Sequence, residues 1–197
     1  ELLKALDVPH EIDRLRKENE SLGGTFEVRA WGLVPGLGSF VSWEEKLDGR
    51  IAQAMMSIQS VKGVSIGPAW EVAANPGSEA HDEIFHSPGR GFYRETNRAG
   101  GIEGGMTNGQ PLVVRAAKKP ISTLRKALES INLDTKQPES ASYERSDVCA
   151  VPAGGVVMGP VHHAAFGIPL VHPVERNAVA GLQRVDARGQ VDVVSDE

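Results

Sequence analysis

Residues 96–128 read TNRAGGIEGGMTNGQPLVVRAAKKPISTLRKAL. Gly100, Gly101, Gly104, Gly105 and Gly109 fall within ten residues, around Ile102, Glu103 and Met106. Lacking a Cβ, such a cluster lets the backbone approach a flat or phosphorylated ligand closely, but taken alone it fits a glycine-rich turn system better. The spacing is neither GxGxxG opening a helix nor a P-loop, so the dinucleotide-fold and nucleotide-hydrolase readings fail. Leu112 to Ala117 then alternates as a strand and ends at Lys118, Lys119 and Pro120. Beyond it, Leu124, Leu128 and Ile131 align at helical spacing within Thr123 to Ile131, against the restriction that Pro120 places nearby.

Upstream, Pro9 to Leu22 carries Ile12, Leu15 and Leu22 among many charges, the pattern of a solvent-facing helix closed by Gly23 and Gly24. Phe26 to Val34 is rich in β-branched and aromatic residues and reads as a strand entering the turn Pro35-Gly36-Leu37-Gly38. Ser42 with Glu45 three positions on forms a capping box for a helix in which Leu47, Ile51, Ala54, Met55 and Ile58 recur until Gly63 stops it. Met55 and Met56 are read as core rather than as a cofactor box. Short strands fit Val64 to Ile66 and Ala69 to Ala73, and Asn75 to Glu95 reads as loop. Antiparallel-type strands with few helices, without βαβ alternation or an internal repeat, give an α+β fold of antiparallel sheets packed with helices.

The 197 residues, 40% hydrophobic and 24% charged, suffice to bury a sizeable core. A net charge of −5 gives no general attraction to nucleic acid or anionic lipid, so neither is expected as a partner and an anionic ligand needs a local basic cluster. No apolar run approaches the ~20 residues that cross a bilayer. Cys149, the single cysteine, excludes an internal disulfide and fits a reducing cytoplasm; between Val148 and Ala150 it is expected to fill core. The sequence opens at Glu1, and Leu2, Leu3 and Leu6 already look like a buried stripe, so the chain is expected to start midway.

Besides the glycines, two groups carry candidate chemistry. Lys118 and Lys119, with Ser122 and Thr123 across Pro120, put cations and hydroxyl donors in one short loop, either a phosphate grip or a common exposed lysine pair. Arg145 and Asp147 are one residue apart, so an extended Tyr143 to Ala150 points both to one face. They then form an anion-binding pair or a surface ion pair worth roughly 0–1 kcal/mol. His162, His163 and His172 lack acidic or cysteine partners at metal-site spacing, so no metal is expected, and no Ser-His-Asp hydrolase motif occurs.

Taken in order, LDGRIAQAMMSIQSVKGVSIG (47–67), SEAHDEI (78–84), the 96–128 run and ERSDVCAVPAGGVV (144–157) closely resemble chorismate synthase, from about Leu22 to Val157. The resemblance implies a lyase of the shikimate pathway of aromatic amino acid biosynthesis. Its reaction is the 1,4-anti elimination of phosphate from 5-enolpyruvylshikimate 3-phosphate to give chorismate, with a reduced FMN that is regenerated without net redox change. By the same likeness Gln59 and Ser60 approach the flavin together with Gly104, while Lys119, Pro120, Ile121, Ser122 and Thr123 form the cofactor-binding loop and Arg145 contacts the cofactor. Asp147 matches the family aspartate expected to help remove the C6 proton by relay through the flavin, an acid/base role governed by geometry near N5. A β-α-β sandwich, a homotetramer when full length, a cytoplasmic location, and either NADPH or an external reductant as electron source are implied as well.

The sequence departs from the family in three places. Lys118 stands where the family usually has methionine, adding a charge that either tunes the flavin or reaches solvent. The family's N-terminal region, with two histidines and several arginines, is missing, so residues 1–157 are read as a C-terminal portion, inactive alone. After Val157, Gly159, Pro160, Gly167, Pro169, Pro173 and Gly189 stand in place of the family's long alanine-rich helix, and residues 158–197 are read as a divergent tail, frameshifted or disordered. A second reading is a non-catalytic flavin- or phosphate-binding module that keeps the glycine and lysine loops; a third is a product with no stable fold.

Overall fold

The computed structural model describes residues 8–143, 147–151, 153–154, 175–179, 182–185 and 191–193. In chain order the elements are α1 (Val8–Lys17), β1 (Gly24–Ala30), α2 (Leu47–Met56), β2 (Val61–Ile66), α3 (Ala69–Ala73) and α4 (Gly77–Ala80). The hairpins β3 (Phe85–Ser87) with β4 (Gly91–Tyr93) and β5 (Ile102–Glu103) with β6 (Met106–Thr107) follow, then β7 (Leu112–Lys118). A hairpin of β8 (Glu129–Ile131) and β9 (Pro138–Ser140) comes next, and β10 (Glu175–Val179), β11 (Leu182–Val185) and β12 (Val191–Val193) end the series.

One antiparallel sheet, in the order β12-β11-β10-β1-β7-β2, organises the molecule. Side chains alternate across a strand, and the register places Phe26, Val28 and Ala30 opposite Ala116, Val114 and Leu112, all buried on one face. Against that face packs α2, whose Leu47, Ile51 and Met55 recur every four residues on one stripe. Met55 is fully buried, so Met55→Ala is the kind of change that costs about 2–5 kcal/mol. On the opposite face, buried Glu27 accepts hydrogen bonds from Arg29 Nε at 2.5 Å and Arg115 Nε at 2.6 Å, which offset the cost of removing its charge from water. β10 pairs with β1 along its other edge, Phe26 opposite Ala178, so the three strands described within residues 158–197 extend this sheet. Sheets with a few helices make this the α+β fold that the sequence predicts.

Several local expectations need correction. The first helix ends at Lys17 rather than Leu22, and the strand after it ends at Ala30 rather than Val34. Ser42 does not cap α2: Lys46 stands at the N-cap with no side-chain bond, and the Leu47 N–H is satisfied from afar by the Gly105 carbonyl at 2.9 Å. Ala69–Ala73 is a helix, because Gly67 takes a left-handed φ of +60° that turns the chain out of the sheet, and the Pro68 carbonyl accepts the Val72 N–H. The expected loop from Asn75 to Glu95 holds α4 and the β3–β4 hairpin, which Phe85 and Tyr93 brace with ring centroids 5.7 Å apart. Thr123 to Ile131 is not helical. Leu128 and Ile131 are exposed, so the apolar spacing has no face to pack against, and the Asn132 side chain instead turns the chain by accepting the Asp134 and Thr135 N–H groups.

Candidate active site

At its C-terminal end α2 is closed by Ser57, and the chain passes through exposed Gln59 to Ser60, a non-glycine residue at φ +70°. The Ser60 carbonyl accepts the Lys119 N–H at 2.9 Å, which joins two of the sequence-predicted groups. The 119–123 loop is then fixed from the other side. The Ser21 hydroxyl donates to the Ile121 carbonyl at 2.9 Å, and Gly23 lies so close that a Cβ there would sit 2.6 Å from the Lys118 carbonyl oxygen and 2.8 Å from Pro120 Cδ.

The segment carrying Asp147 docks beside this loop. The Leu22 N–H donates to the Val148 carbonyl at 2.8 Å, and Leu22 and Cys149 form a parallel bridge. As a result Asp147 and Thr123 line one cleft with Arg16, Asn19, Ser21 and Arg125. Arg125 Nε is buried there without an acceptor among the described residues. Arg145 lies outside the described residues, so the expected Arg145–Asp147 face does too. Burial pushes the Cys149 thiol up, against the Val151 N–H and the Lys118 charge, so it stays protonated at neutral pH and packs against the core. Lys118 is half-buried and shares the strand face of Ala116; its stem reaches Gly154, where a Cβ would meet Lys118 Cδ at 3.5 Å.

Gly104 lies elsewhere. It forms the β5–β6 turn with Gly105, at φ +60° and +86°, and the Gly105 carbonyl meets the N-terminal end of α2 at Leu47. Ser60 follows the other end, and ten helical residues separate the two by about 15 Å. The 119–123 loop is therefore joined to Ser60 at Lys119 and shares a cleft with Asp147 at Thr123, whereas Gly104 is not brought to it.

Sequence reasoning missed Asp82. Its carboxylate accepts the Thr96 hydroxyl at 2.5 Å and the Arg98 and Ala99 N–H groups at 2.8 Å each. Burial works to raise its pKa, but the Ala99, Thr96 and Arg98 hydrogen bonds outweigh it, the Arg94 charge adds to them, and the carboxyl is held below its ordinary value. No local pattern marks it, since its donors at Thr96, Arg98 and Ala99 come fourteen or more residues later in the chain. Among the described residues no cluster of three metal-ligating side chains occurs, and no helix is long and apolar enough to cross a membrane; His162, His163 and His172 lie outside the described residues.

Residues 4–166 match the family model for chorismate synthase, beyond the quoted motifs at both ends. The chain belongs to the chorismate synthase family. It is 59% identical over 152 residues to the chorismate synthase of Desulforudis audaxviator, covering 77% of this chain and 39% of that one. With the chorismate synthase of a Thermus thermophilus strain the identity is 60% over 147 residues, 75% of this chain and 38% of that one. A crystal structure of chorismate synthase superposes with a TM-score of 0.64 at 44% identity, covering 80% of this chain and 40% of that one. The chain thus spans about two fifths of the length of these chorismate synthases.

For the flavin that this family implies, the fit is mixed: cation, hydroxyl and carboxylate groups share the cleft of Thr123 and Asp147, and Gly104, apart from it, presents open backbone, with nothing among the described residues within 4 Å of an added Cβ.

Proposed function

We propose that this chain forms part of the active site of a chorismate synthase, eliminating phosphate from 5-enolpyruvylshikimate 3-phosphate to give chorismate. The observation that carries this reading is the junction of Ser60 with Lys119, beside a cleft that Thr123 and Asp147 line together. Reduced FMN, when bound, supplies the electron-transfer chemistry. Gln59, Ser60, Gly104 and the run Lys119, Pro120, Ile121, Ser122 and Thr123 are read as its contacts, together with Arg145.

Of these, Lys119 brings positive charge, Ser122 and Thr123 bring hydroxyl donors, and the left-handed Ser60 fixes where its own carbonyl and the Lys119 N–H meet. As phosphate leaves, the C6 proton must be taken up, and Asp147 is read as the carboxylate that helps to remove it. NADPH or an external reductant as electron source, a homotetramer and a cytoplasmic setting belong to the same reading. So does the division into residues 1–157, a C-terminal portion of the enzyme, and a divergent tail at 158–197. The 197-residue chain by itself is expected to release no phosphate, since a transition state held by two half-sites loses most of its stabilisation when one is missing.

The test separates binding from chemistry in the protein extended to the relatives' full length. Asp147→Asn should lower kcat by roughly 10²–10⁴ while FMN affinity stays nearly constant, and Arg145→Ala should weaken FMN binding. Flavin binding without turnover in the unaltered protein would point instead to a non-catalytic flavin- or phosphate-binding module. Near-normal turnover of Asp147→Asn would remove the proton-transfer role.

A further inference from the structure

Asp82 and Arg94 stand outside every group read as ligand-contacting, yet a continuous chain of polar contacts runs from them to Glu103, the residue before Gly104. While the Asp82 carboxylate gathers Thr96, Arg98 and Ala99, its main-chain carbonyl accepts Arg94 Nη1 at 2.9 Å. The Arg94 side chain, only 14% exposed, turns Nη2 onto Glu103 Oε2 at 2.7 Å. That same oxygen accepts Asn108 Nδ2 at 2.9 Å. Glu103 is the last residue of β5, and the residue after it is Gly104.

Packing does not orient Gly104 itself. Among the described residues an added Cβ on Gly104 would meet nothing within 4 Å, whereas one on Gly105 would fall 2.6 Å from the Ser39 carbonyl oxygen, so packing holds only the Gly105 side of this left-handed pair. Its two flanks hold it: Gly105 through the Leu47 N–H and its packing on Ser39 and Lys46, and Glu103 through Arg94. A guanidinium is a rigid planar fork, so Arg94 holds the Glu103 carboxylate at a set position relative to the Asp82 main chain. We propose that Asp82 and Arg94 are positioning residues that pre-organise the Gly104 backbone for a flavin ligand, an inference that rests on the flavin-contact reading of Gly104. A ligand that finds the turn already ordered avoids the entropy of ordering it and binds more tightly.

The test uses the protein carrying this chain, with backbone amide hydrogen exchange at Gly104 and Gly105 and FMN affinity from fluorescence titration. Glu103→Gln keeps the side-chain shape and leaves Arg94 its Asp82 carbonyl, and Arg94→Lys keeps the charge but loses the fork; both should fold and melt near the unaltered protein. Each should speed exchange at the turn and weaken FMN binding by about fivefold, the loss expected when pre-organisation is removed rather than a contact. Asp82→Asn should do the same more strongly. Unchanged exchange at Gly104 and Gly105 in both milder variants would overturn the proposal. Faster exchange with unchanged FMN affinity would confine Asp82 and Arg94 to loop stability and overturn its ligand half. If the unaltered protein bound no FMN, the flavin reading itself would fall, taking the ligand half with it, while exchange would still decide whether Arg94 sets the turn.

Discussion

At its N-terminal end α2 meets a glycine turn with a charged network on its Glu103 flank: the Asp82 carboxylate over the 96–99 loop, and Arg94 clamped between Asp82 and Glu103. At its C-terminal end the helix meets a loop held largely by main-chain groups, with Lys119 on Ser60, Ser21 on Ile121, Leu22 on Val148, and Gly23 slotted beneath Pro120. The first arrangement answers to protonation and to the loss of a charge. The second answers to added bulk and hardly to charge. One helix thus separates two parts of a candidate site that different perturbations reach.

The largest effect is expected at the charged end, where the glycines interlock. Gly100 sits at φ +63°, and a Cβ on it would fall 2.6 Å from Gly67 Cα, so Gly100→Ala combines backbone strain with a main-chain clash. It should lower stability by roughly 3 kcal/mol in denaturant melts. Gly23→Ala is the matching probe of the other end, expected to cost about 1–3 kcal/mol and to displace the 119–123 loop. If it melted like the unaltered protein, the main-chain account of that end would break.

Asp82→Asn sharpens the contrast through pH. At neutral pH it should cost about 1–2 kcal/mol, because a carboxamide presents its NH2 to donors that need an acceptor. The folded pKa of Asp82 lies below its unfolded value, so its contribution is fully present above the unfolded value and is lost as pH falls through the folded one. The stability gap between unaltered protein and variant should therefore close on acidification below about pH 4, and a gap that stayed constant would contradict the charged account. The smallest change is expected from Lys126→Ala, which removes the exposed 3.1 Å pair with Glu20 beside the cleft and should shift stability by at most about 1 kcal/mol.

The elements legible from the sequence were those whose periodicity coincides with burial: β1, the Leu47-Ile51-Met55 stripe of α2, and β7. Where periodicity had no partner face, as at Leu128 and Ile131, it misled. The capping of α2 was illegible for a different reason, since the acceptor for Leu47 comes from Gly105, in a turn far along the chain, and no local pattern encodes it. The glycine cluster and the lysine loop were visible as residue types, but their assignment to a flavin came from family likeness. That Ser60 touches Lys119 is a tertiary fact, and Asp82 was overlooked because one aspartate in a polar loop carries no signal until its donors are seen around it.

Phe26 faces Ala116 and Val28 faces Val114 across the central pair of strands, so the sheet closes only when segments some ninety residues apart find one another. The entropy of closing a loop of that size is spent before the long-range register returns anything, which makes such pairing slow. The β3–β4 and β5–β6 hairpins have neighbouring ends and can form within about 1–10 μs. Refolding should accordingly begin with these hairpins and with α2, and the strand pairing that carries both ends of the helix should set the rate.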